Sequence, residues 1–183
     1  MGKVFATIDD RWQNWMAQQK MFFVSTAPVS ADGFINCSPK GLDSFRVIDE
    51  LTVAYIDLAG SGIETVAHLK ENGRITIMFC AFDGPPKILR LYGTGEVLEK
   101  GTAAFEALAH QFPHYEGARS IIRVKVSRIQ DACGFSVPTY KYEGERDTLL
   151  KWAEKKGGVE GVKEYINLRN KESLDGLPGI KLK

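Results

Sequence analysis

Lys40 is the only cation in Asn36-Cys37-Ser38-Pro39-Lys40-Gly41, a segment set between two stretches rich in strand-forming residues. Pro39 fixes the dihedral before the lysine, and Gly41 lets the backbone approach a ligand closely. Further on, Ser61-Gly62-Ile63-Glu64 has the spacing of a capping box: the serine hydroxyl serves an orphan amide of the first turn and the glutamate reaches back. A helix start flanked by glycines also presents free amides and a positive dipole end to an anion. Taken singly, Lys40 is a solvated turn lysine and Ser61 a helix cap. If the turn and the helix start converge, they hold a phosphate between two separate pieces of backbone. Arg90 alternates with Leu89 and Leu91, so it leaves its strand on the opposite face from them, together with Tyr92 and Thr94. If that face is turned toward the same site, its planar fork suits a phosphate or an electron-rich carbonyl of a planar ring.

Other chemistry finds less support. His68, His110 and His114 lack metal-ligand spacing, and no nucleophile elbow, Walker A run or dinucleotide-binding glycine pattern occurs. Cys80 lies in the apolar run Ile75 to Phe82, which is the setting of a buried structural thiol. Cys133 precedes Gly134 and Phe135 at a strand end, with nothing to mark it as a nucleophile. Phe135, Tyr140 and Trp152 are the candidate aromatic walls of a pocket.

The elements that must position these residues read mainly as β-structure. Met21 to Val29 and Phe34 to Ser38 form a pair around an Asp32-Gly33 hairpin signal. Leu51 to Leu58, Arg74 to Phe82, Ile88 to Leu98 and Ser120 to Ile129 add four further strands, which makes six. Helices are expected around Trp12, Trp15 and Met16, over Ser61 to Asn72 and over Thr102 to Phe112. Two more follow in a C-terminal extension, residues 145–169, joined at Gly157-Gly158. With so few helices between strands, an antiparallel barrel, closed or partly closed, is favoured over a parallel sheet.

The chain has 183 residues, which fits one domain with a core at about residues 21–138. Lys+Arg 24 against Asp+Glu 23 gives a net charge of +1 and no broad field for nucleic acid or an anionic membrane. Three scattered cysteines imply no disulfide framework, and no apolar run approaches the ~18 residues of a membrane span, so a cytoplasmic location is expected.

Ser38-Pro39-Lys40-Gly41, Val53 to Leu58 leading to Gly60-Ser61-Gly62-Ile63-Glu64-Thr65, Asn72-Gly73-Arg74 and Leu89-Arg90-Leu91-Tyr92-Gly93 follow one another in an order that resembles the pyridoxamine 5'-phosphate oxidase-like family of FMN-binding split barrels. The resemblance covers roughly Met21 to Val137. It implies a mainly β (α+β) six-stranded antiparallel split β-barrel with peripheral helices, assembled as a homodimer with FMN in clefts at the subunit interface. It also implies hydride transfer through the flavin to or from a small molecule. Carried over by position, Lys40 and Arg90 become basic ligands of the flavin phosphate or ring. Ser38, Ser61, Gly62 and Thr65 become hydroxyl or amide donors, and Asp57 and Leu58 run along the ring edge through their backbone. A deazaflavin or haem in the same cleft, or flavin binding without catalysis, are the alternatives. The chain departs from many relatives in carrying Ile63 and Thr65 where they carry basic residues. Lys-rich helices also stand where the vitamin B6 oxidases have a substrate-reading strand, so the resemblance does not extend to pyridoxamine 5'-phosphate oxidation itself.

Overall fold

A computed structural model describes residues 2–182. Eight strands and five helices run in the order β1 (Val4–Phe5), α1 (Asp10–Gln18), β2 (Phe22–Thr26), β3 (Asn36–Lys40), β4 (Phe45–Asp49), β5 (Thr52–Leu58), α2 (Glu64–Asn72), β6 (Arg74–Cys80), β7 (Ile88–Glu99), α3 (Ala103–Ala109), β8 (Ala118–Ala132), α4 (Thr148–Lys155) and α5 (Gly158–Arg169). All pairings among these strands are antiparallel, in the order β3-β2-β6-β7-β8-β5-β4, with β1 added to β8. This is the split-barrel arrangement expected, with two strands more than six.

The two additional strands have short or mixed sequences. Phe45-Arg46-Val47-Ile48-Asp49 is interrupted by Arg46 and bulges against β5, while β1 has only two residues. The expected Asp32-Gly33 hairpin is instead a longer connection between β2 and β3, ending two residues later than the sequence reading placed it. Lys40 is consequently the last residue of a strand and not part of a turn. Pro39 is tolerated there because β3 is an edge strand and leaves one side without ladder donors.

The sheet curls until residues from its two ends meet. The Phe22 ring lies 5.2 Å from Phe45, 5.5 Å from Tyr55 and 5.5 Å from Phe79, centroid to centroid. These rings join Val24, Ile77, Leu89, Leu91, Ile122 and Val124 in the main core. A second core lies on the other face of β5, where Ala54 and Ile56 meet Phe105 and Phe112. Burial on both faces makes the middle of β5 a continuous apolar run and fixes its position firmly.

Helix α2 packs against β2, β6 and β7, and α3 against β7 and β8. Asp9 caps α1 by accepting from Trp12 N at 3.0 Å, and Trp12 and Met16 turn inward. Helix α2 ends at Gly73, whose φ of 72° is the left-handed conformation that favours glycine. Gly157, at φ 98°, turns the chain from α4 into α5, at the expected junction.

A candidate anion and aromatic cleft

Asp57 has the same parity along β5 as Val53 and Tyr55 and points inward with no solvent exposure. Such a carboxylate requires partners, and two cations supply them. Lys40 Nζ donates to Oδ1 at 3.0 Å from the far edge of the sheet, and Arg119 Nε donates to Oδ2 at 2.7 Å. Burial pushes the Asp57 pKa up, but the charges of Arg119 and Lys40 and their hydrogen bonds outweigh it and bring the pKa down to about 2.

Arg119 reaches this position through a break in register. Asp57 pairs with Ser120 and Leu58 with Ala118, so Arg119 is the extra residue of a β-bulge in β8. A bulge re-aims a side chain that regular alternation would send elsewhere. Arg119 Nη1 also donates to Gly62 O and to Asn170 Oδ1, each at 2.8 Å. Asn170 follows α5, is fully buried, and donates to Gly60 O at 3.0 Å. The turn at residues 60–62 is thereby held from below by β8 and from the side by the C-terminal extension.

Above this network opens a cleft of about 980 Å³. Lys40, Leu58 and Ser61 line it, and Asp57 touches it through Lys40. The strand end carrying Lys40 and the turn before α2 therefore do converge. Leu42, in the connection after Lys40, adopts a positive φ of 60°, and Ser44 ties that connection back to Gly41 O at 2.7 Å. A non-glycine residue in this region of dihedral space is held there by its surroundings.

Other expected site residues lie elsewhere. Ser38 donates to Asn36 Oδ1 at 2.8 Å, and Thr65 accepts from Asn36 Nδ2 at 2.9 Å beneath the edge of the barrel. Both take part in a structural polar seam that continues through Thr26 to His68 Nδ1. Gly62 contributes its carbonyl to Arg119. The capping box does not form: Ile63 occupies the cap position without a side-chain bond, and the Glu64 carboxylate folds over Gly62. Arg90 pairs across the sheet with Met78, which pairs with Phe23, whereas Lys40 is in line with Phe22 and Phe79. Arg90 and Lys40 thus leave opposite faces of one sheet.

Arg119 and Asn170 are site residues that the sequence expectations did not include. A charge next to the apolar run Ser120-Ile121-Ile122 was the signal for Arg119. Asn170 carried none, because its role depends on where α5 ends. Of the aromatic candidates, Tyr140 and Trp152 line the cleft, while Phe135 does not and is 82% exposed.

Residues 8–133 match the family model described as pyridoxamine 5'-phosphate oxidase. The chain is 38% identical to the pyridoxamine 5'-phosphate oxidase family protein ustO of Aspergillus flavus, over 96% of this chain and 77% of that protein. Among solved structures, HupZ of Group A Streptococcus superposes with a TM-score of 0.53 at 23% identity, covering 73% of this chain and 99% of that one. A provisionally assigned pyridoxamine 5'-phosphate oxidase from Lactobacillus delbrueckii gives 0.51 at 19% identity, covering 69% and 98%. The two structural likenesses concern the fold alone.

Proposed function

The chain belongs to the pyridoxamine 5'-phosphate oxidase family, and from that premise we propose that it is an FMN-dependent oxidoreductase acting on a small molecule. The observation that carries this reading is the floor of the cleft, where Lys40 and Arg119 share one buried carboxylate. Two cations against one anion leave an excess positive charge in a poorly screened place, which suits a phosphate. Lys40, still 20% exposed at its side chain, is the member that can meet the phosphate, and Ser61 lines the same cleft. Leu58 offers apolar contact along the same wall, as a planar ring requires. Bound there, FMN would supply hydride exchange at its ring, while the chain binds, orients and excludes water. Arg90 faces away from this cleft in its own protomer, so its part in the site requires a second copy, in keeping with a homodimer.

Titration of FMN into the purified protein, read by flavin fluorescence and absorbance, tests the reading. We expect saturable binding and reduction of the bound flavin by a nicotinamide donor. Lys40→Ala should weaken binding by about 1–3 kcal/mol, as for loss of a charge-assisted hydrogen bond. A protein that ignores added FMN, or a Lys40→Ala variant with unchanged affinity, rejects the assignment.

A further inference from the structure

Between the end of β8 and the start of α4 the chain runs without helix or strand over residues 133–147. Its two ends are fixed. Gly134 is buried at a φ of 67°, where a Cβ would come within 2.8 Å of Lys87 N, and Ala153 seats α4 in the main core. Every residue from Pro138 to Thr148 is exposed, so the middle of this stretch buries no side chain that would hold it down. Tyr140 to Arg146 nevertheless line the same cleft as Lys40. A span fixed at both ends and loose between them, lying along a cleft, is built as a strap.

Among the described residues, two hydrogen bonds join residues 138–147 to the barrel. Tyr140 N donates to Phe82 O at 2.8 Å, with the two rings 5.4 Å apart. Glu145 Oε2 accepts from Leu42 N at 3.3 Å, while its Oε1 accepts from the Tyr142 hydroxyl at 2.8 Å within the strap. Lys20 Nζ adds a contact 5.6 Å from the Tyr142 ring centroid.

Glu145 is the more consequential tether because of where it lands. Leu42 follows Lys40 by two residues and holds a φ of 60°, which a non-glycine residue keeps only while its surroundings hold it. The bond from its amide to Glu145 is part of that hold. Glu145 Oε2 also stands 3.7 Å from where a Cβ on Gly41 would lie. One carboxylate therefore joins the strap to the strand end that carries Lys40, and whatever steadies one steadies the other. Gly144, next to that carboxylate, has a φ of 142° and nothing within 4 Å of a Cβ position, so the backbone is free to swivel there.

We propose that residues 138–147 form a strap that opens and closes over the cleft as a unit, with Glu145 on Leu42 N as its latch, and so gates the entry and exit of a ligand held at Lys40. Closure shields the ligand from water and fixes the connection beside its anchor. The gating role rests on the flavin reading above, whereas the motion of the strap does not.

Hydrogen exchange at single amides of the free protein tests the motion. Glu145→Ala undoes the latch, and Glu143→Ala, at an exposed carboxylate of the same strap, is the control. We expect Glu145→Ala to speed exchange about fivefold or more at Leu42 and by the same factor at Tyr140, whose acceptor, Phe82 O, the substitution does not touch, and Glu143→Ala to change neither. Faster exchange at Leu42 alone would show a local hydrogen bond and overturn the strap. Stopped-flow mixing with FMN tests the gate: association and dissociation should both be about threefold or more faster in Glu145→Ala. A rise in dissociation alone makes Glu145 a contact of the ligand, and unchanged rates leave the cleft ungated; either result overturns the gate. A protein that does not bind FMN overturns the flavin reading and the gate with it, while exchange at Tyr140 still decides the strap.

Discussion

Asp57 makes the stability of the site fall as the solution turns acid. Its pKa is about 2 in the folded chain, below the ~3.9 of an unfolded aspartate, so folding favours the ionised form. The resulting stability is fully present above the unfolded value and is lost as pH falls from about 4 through 2. With both partners in place it amounts to roughly 2.5 kcal/mol. Asp57→Asn should flatten that acid slope, and it should also destabilise at neutral pH by about 3–5 kcal/mol because Arg119 is left buried without its counter-charge. Denaturant unfolding of both proteins at pH 7, 4 and 2.5 measures the difference; a variant that keeps the wild-type acid slope would show that Asp57 is not the titrating group.

At the scale of elements, Gly73 and Asn170 are the joints that matter most. A Cβ at Gly73 would come within 2.8 Å of Thr94 Cγ2, in a conformation already unfavourable to any side chain. Gly73→Ala should cost about 1–2 kcal/mol in thermal unfolding, and a neutral result would mean that the end of α2 simply re-forms. Asn170→Ala leaves Gly60 O without its donor and Arg119 with one acceptor fewer, so we expect a loss of about 1–3 kcal/mol. If that turn serves the anion, FMN affinity should fall as well, even in variant protein that is fully folded at the assay temperature. The strands carrying Tyr55, Ile77, Leu91 and Val124 were legible because their runs of β-branched and aromatic residues are bounded by Gly, Pro, Asp or Asn, and the Gly157-Gly158 junction was legible from its glycines. β4 was not, since Arg46 breaks its pattern and the strand is recognised only once β5 lies beside it. The convergence of Lys40 with Ser61 was legible as a condition, but the bulge that brings Arg119 to Asp57 was not. A bulge arises from register between two strands, and neither strand's sequence contains it alone.

At the scale of the whole molecule, the opposite orientations of Lys40 and Arg90 require either that Arg90 has no part in binding FMN or that it serves the cleft of another copy. A two-fold dimer with composite clefts makes the second case testable by complementation. Lys40→Ala and Arg90→Ala chains, co-expressed with different tags and purified as the mixed dimer, would carry both lesions in one cleft and neither in the other. At an FMN concentration that saturates the wild type but neither variant alone, the mixed dimer should bind about half the wild-type amount. If both residues act within a single protomer, no cleft in the mixed dimer is intact and binding stays at the level of the variants. If Arg90→Ala by itself binds FMN as the wild type does, the arginine belongs to the outer surface alone and the site is contained in the Lys40 cleft. Sedimentation of the free protein as a monomer at assay concentration would likewise exclude a composite site.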